Sequence, residues 1–199
     1  MKKYIIATNF FILMFLIGDY VFISINSPDR QANINREPIQ TETNKREFKH
    51  HGYVLTPIST YKVKAVVLSK KEYSGNSKAE LSQNDYVLGW KDMSKLANIE
   101  RIKIEQKDRE FYWKVADFFI PQKEIETSIS NNHIIPSNKI VELKLNSISV
   151  GDVVELEGYL VNAEKITDNS WKWKTSTVRG DKGKNSSELF YVESIGLFN

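Results

Sequence analysis

The chain has 199 residues, a formal charge of +3 from 28 Lys and Arg against 25 Asp and Glu, 12% aromatics and no cysteine. The absence of cysteine excludes disulfides, thiolate chemistry and a Cys-based zinc centre, and the charge is too near neutral to imply a polyanion partner by itself. A chain of this length buries a core by packing alone.

Lys2 and Lys3 precede a run from Tyr4 to Ile25 whose only charge is Asp19. Lysines ahead of an apolar run stay on the inner side, so the chain beyond the run is exported. Residues 1–25 read as a single-pass inner-membrane anchor with the C-terminal domain in the periplasm. The alternative is a signal cleaved on secretion to the periplasm. The stretch Phe22 to Pro28 offers no small-residue pair for a signal peptidase, which favours the anchor. Asp19 sits near its outer end, where a carboxylate costs less than the roughly 2.5–3.5 kcal/mol it costs at mid-bilayer.

Residues 26–52 are polar and without period, and they read as a flexible tether. From 53 to 199 the pattern is that of an extracytoplasmic, β-rich domain. Strands are predicted at Tyr61–Leu68, Ile102–Glu105, Phe111–Val115, Val153–Val161, Trp171–Thr175 and Glu188–Val192, where β-branched and aromatic residues alternate or run continuously. Gly151-Asp152 and Asp168-Asn169 mark tight turns. Helix is confined to a turn or two within Ser69–Leu81, and to a segment capped by Ser137 that carries Ile140, Val141, Leu143 and Leu145. The expected core is Val63, Val66, Ile104, Trp113, Val154, Leu156, Leu160, Trp173 and Phe190. Short antiparallel strands, one or two short helices and Gly158 bending the longest strand fit a small antiparallel barrel, OB-like or split, with a sandwich giving much the same pattern.

Blocks along the domain carry a resemblance: Tyr53-Val54-Leu55-Thr56-Pro57, Leu88-Gly89-Trp90 with Met93-Ser94, Asn131-Asn132-His133-Ile134-Ile135-Pro136, Gly151-Asp152-Val153-Val154, Gly158-Tyr159-Leu160-Val161 and Trp171-Lys172-Trp173. Together they resemble a family of uncharacterised bacterial membrane-anchored proteins with an extracytoplasmic domain. That resemblance implies a location and names no reaction. Where the family pattern has a second histidine and a cysteine, this chain has Ser128 and Ser187, so no two-histidine or thiol site carries over.

His133 is the one histidine inside the predicted domain, placed in an Asn131-Asn132-His133 loop. As a catalytic candidate it would be a general base, and its plain alternative is a hydrogen-bonded structural group. One histidine without a second or a cysteine makes no metal site, and no cofactor motif occurs. Glu124 and Glu126 share a face of an extended chain, a spacing equally ordinary on solvated surfaces. Trp171 and Trp173 alternate with Lys172 and Lys174. In a strand that separates the aromatics from the cations, which argues against a single-strand nucleic-acid groove. Arg179, Lys182 and Lys184 form a basic loop suited to an anionic envelope component or an envelope protein. The expectation is a non-enzymatic binding or assembly module of the bacterial envelope, held to the membrane by its N-terminal helix. The alternative is an envelope hydrolase or metal-assisted enzyme using His133 with nearby carboxylates.

Overall fold

The computed structural model describes residues 34–180 and 186–198. The expected anchor, Lys182 and Lys184 lie outside the described residues. Among those described, no helix is long and apolar enough to cross a membrane.

The fold is mainly β. Its spine is β3 (Tyr53–Glu72), a strand of 20 residues. Alternate side chains from Tyr53 to Val63 are buried, and then Ala65, Val66, Val67 and Leu68 are buried in succession. This is the switch from alternating to continuous apolarity that the sequence carries. One edge of β3 is shared in turn by β2 (Phe48–His50), β1 (Ile39–Glu42) and β4 (Asn84–Gly89). The other edge carries β8 (Val153–Lys165), from Tyr53↔Lys165 to Val66↔Val153.

The remaining strands close a ring. β4 pairs antiparallel with β7 (Ile129–Pro136), β7 runs parallel to β10 (Glu188–Phe198), and β10 pairs antiparallel with β8, which returns to β3. β9 (Asp168–Trp173) extends β8 outside the ring. Gly158 lies where β10 shifts register between Val192 and Ser194; a Cβ there would stand 2.0 Å from the Tyr191 carbonyl oxygen, so only glycine allows the strands this close.

Short pieces fill the connections. α1 (Ser77–Leu81) is capped by Asn76, whose side chain accepts from the Ala79 amide. A 3₁₀ turn at Lys91–Ser94 and α2 (Leu96–Ile99) lead to a separate hairpin, β5 (Ile102–Lys107) and β6 (Glu110–Val115). α3 is Gln122–Thr127 and α4 is Lys139–Ser147. The cap of α4 is Asn138 rather than Ser137: its Oδ1 accepts from the Ile140 and Val141 amides. Only Val141 and Leu145 of that helix are buried, while Ile140 and Leu143 point outward.

Three further expectations are corrected. The segment expected as a tether contributes β1 and β2 and buries Ile34, because pairing to the free edge of β3 satisfies its backbone without a large apolar face of its own. The helical turn expected within Ser69–Leu81 is α1, while Ser69–Glu72 continue β3. The Asn131–Pro136 segment is not a loop but strand β7, its polar side chains held by buried partners. Glu124 and Glu126 are on α3, where a spacing of two sends them to different sides.

Inside the ring Tyr61, Val63, Tyr86, Leu88, Val154, Leu156, Leu160 and Phe190 pack together; on the outer face Tyr53, Leu55, Ile135, Trp173 and Leu189 form a second cluster. Of the expected core, Ile104 and Trp113 are only partly buried, since the hairpin that carries them covers the ring instead of joining it.

Candidate functional site

Two groups of polar side chains are buried, one on each face of the β4–β7 pair. The outer group contains His133. It is paired in register with Asp85, and its Nδ1 stands 2.9 Å from Asp85 Oδ1 without hydrogen-bond alignment. Arg109, at the tip of the β5–β6 hairpin, donates to the same Asp85 oxygen at 2.6 Å and to the Ser82 carbonyl at 2.8 Å. Its guanidinium lies over Tyr73 at 3.9 Å.

Gln106 donates to Asn131 Oδ1 and accepts from the Ser69 hydroxyl; Asn131 in turn donates to the Arg109 carbonyl and to Ser187 Oγ. Trp173 covers the His133 ring at 4.7 Å. His133 is 4% exposed and Asp85 is fully buried. The cluster therefore ties the hairpin to the ring, with the Arg109 charge neutralised by Asp85.

The inner group opens on solvent. A cleft of about 390 Å³ runs between β6, α3 and the start of β7. Its outer lining includes Phe111, Tyr112 and Trp113 from β6 with Gln122 and Glu126 from α3; its deepest residues are Trp90, Ser130 and Glu188, with Arg179 beside them. Arg179 lies 5.8 Å from the Tyr61 and Trp90 rings, and its Nη2 donates to the Pro38 carbonyl at 2.8 Å.

Tyr61 stands beneath. Burial pushes its phenol well above the usual range, the Glu188 carboxylate adds to the rise, and the Arg179 charge opposes it. Tyr61 Oη is within reach of the Arg179 guanidinium and the Ser130 hydroxyl, yet neither it nor Arg179 Nη1 makes an aligned hydrogen bond, and Trp90 Nε1 and Asn132 Oδ1, buried nearby, make none either. Leaving such groups unmade costs about 1–3 kcal/mol each; with Trp90 and Arg179 lining the cleft and Tyr61 close behind them, this end of it is the candidate site for a polar ligand.

Of the sequence candidates, Arg179 is thus in the cleft and His133 is not. Trp171 and Trp173 lie on the outer face, with Trp173 buried. Sequence reasoning missed Trp90, Ser130 and Glu188, which come together only through ring closure. One signal was present: Ser130-Asn131-Asn132-His133, a polar run between Ile129 and Ile134-Ile135 in which asparagine is disfavoured in a strand unless held by partners. Among the described residues no cluster of three or more His, Asp and Glu has the arrangement of a metal site. Compared with family models, curated proteins and solved structures, the chain finds no match.

Proposed function

We propose that the protein is a non-enzymatic binding module of the bacterial envelope, and that the cleft beside Arg179 is its binding site. The observation that carries this reading is the convergence of Trp90 Nε1 and Arg179 Nη1, buried without an aligned hydrogen bond, at the inner end of an aromatic-lined cleft, with the buried Tyr61 phenol beside Arg179. The apolar run from Tyr4 to Ile25 supports an N-terminal membrane anchor with the domain on the periplasmic side.

The ring order β3–β4–β7–β10–β8 supports an OB-like barrel, with β7 parallel to β10 and α4 between β7 and β8. In such barrels the second and third strands, with the loop between the fourth and fifth, form the binding face. Here those parts supply Ser130 and Arg179 to the cleft.

The enzymatic alternative loses support from the burial of His133: it contacts Asp85 in the manner of a base, yet it lines neither the cleft beside Arg179 nor the one beside His50. The test is complementation of a deletion strain under envelope stress at matched protein levels. Arg179→Met and Tyr112→Ala should fail to complement, while His133→Gln should complement wherever it folds. Full complementation by Arg179→Met, or failure of a stable His133→Gln, would overturn the reading.

A further inference from the structure

The β5–β6 hairpin turns through Asp108 and Arg109, both at positive φ (54° and 70°), between the paired residues Lys107 and Glu110. A two-residue turn with positive φ at both positions makes its flanking pair exchange both ladder hydrogen bonds. Counting from Lys107 and Glu110, the backbone groups of Glu110, Tyr112 and Lys114 point inward to β5. Those of Phe111, Trp113 and Val115 point outward.

Among the described residues β6 has no second neighbour: its sheet is β5–β6, and no backbone hydrogen bond reaches Phe111, Trp113 or Val115 from outside it. Five consecutive residues, Glu110 to Lys114, line the cleft. Side chains of successive strand residues leave opposite faces, so a strand presents five in a row to one cleft through its edge.

Resting on the reading of this cleft as the binding site, we propose that its occupant is an extended polypeptide segment that adds to β6 as a third strand. A row of outward N–H and C=O groups inside a cleft is complemented by another backbone, the recognition mode in which main-chain bonds give affinity and pockets for alternate side chains give selectivity. Such a strand lies about 4.8 Å from β6. Every second side chain then faces the inner end of the cleft, where Trp90, Ser130 and Arg179 offer an aromatic ring, a hydroxyl and a cation. The alternation of aromatic and polar groups along that lining suits a peptide with one polar side chain between apolar ones.

The test uses full-length protein and a library of random hexapeptides, followed by an N-methyl scan of the tightest binder. Methylating alternate amides, those turned toward β6, should weaken binding by about tenfold or more each, while methylating the intervening ones should leave it nearly unchanged. On the protein, saturating peptide should slow hydrogen exchange at Phe111, Trp113 and Val115 by about tenfold or more and leave Tyr112 and Lys114 as they were. Absence of any hexapeptide binding tighter than about millimolar, or a methyl scan without alternation, overturns the inference. So does exchange protection that appears in the free protein with rising concentration, which would assign the edge to a second copy of the chain. If Arg179→Met loses complementation and no peptide binds, the cleft stands as a site and the peptide inference falls; if Arg179→Met complements fully, both fall.

Discussion

His133 and Asp85 face each other across the β4–β7 pair, Nδ1 to Oδ1 at 2.9 Å, with both side chains sealed from solvent. A carboxylate beside an imidazole is the geometry of a catalytic dyad, but here Arg109 already occupies the shared oxygen and Trp173 covers the ring. No room remains for a reacting atom. His133→Gln should lower stability by about 1–2 kcal/mol, the cost of one altered buried polar contact, and should leave function intact in folded protein. Thermal melting paired with complementation reads both; a fully stable, inactive variant would return His133 to the role of a base.

The neighbouring pair carries more. Asp85→Ala leaves the Arg109 guanidinium buried among Tyr73, Trp173 and the Ser82 carbonyl without its counter-charge, a loss of about 3–5 kcal/mol. Removing both charges, in Asp85→Ala with Arg109→Met, should cost less than the sum of the single changes by about 1 kcal/mol or more. Denaturant melts of the four proteins complete the cycle. Strict additivity would show that the pair does not hold the hairpin to the ring.

The difference in legibility between ring and site comes from which interactions each depends on. Alternation at the start of Tyr61–Leu68 and along Val153–Val161 is a local consequence of one wet and one buried face, so the second half of β3 and most of β8 are visible in the sequence. β1 and β2 are not, because a four-residue and a three-residue strand form by borrowing the edge of β3, and polar composition does not forbid that. Asp85, Arg109 and His133 are 24 or more residues apart in sequence for each adjacent pair and meet only through pairing of β4 with β7 and folding back of the hairpin. The cleft is equally non-local: Arg179 was readable as a loop cation, but Tyr61, Trp90 and Glu188 become its neighbours through ring closure alone.

Trp173 closes the outer cluster. It is 5% exposed, stacked at a tilt on His133 and edge-on to Trp171, with the Lys78 ammonium over its ring at 4.7 Å. Trp173→Ala should cost about 3–5 kcal/mol by lost burial and the cavity left behind, read as a fall in the unfolding midpoint. An unchanged midpoint would mean that the ring is a surface group and would revive the outer face as a binding platform.

The last prediction concerns pH. His50, at the end of β2, lies edge-on to His51 at 4.2 Å and to Tyr191 at 5.2 Å, above a second cleft that also contains Glu80 and Glu142. Partial burial pushes its pKa down to about 4, and the charge of His51 pushes the same way against the Pro136 backbone contact. A histidine whose folded pKa lies below its ordinary value of about 6.5 binds its proton more readily in the unfolded chain. Its neutral form therefore supports the fold fully above pH 6.5, and that support is lost as pH falls from there toward 4. The side chain is only partly buried, so solvent screens part of the effect. Several carboxylates held low by lysines, Glu37, Glu80 and Glu155 among them, also lose stabilisation in acid, mostly below the window in which His50 titrates. Melting temperatures of wild type and His50→Gln, measured from pH 7.5 to 4.5, separate the two contributions. The wild type should fall more steeply than the variant between pH 6.5 and 4.5, and parallel curves over that interval would show that His50 titrates as a solvated imidazole.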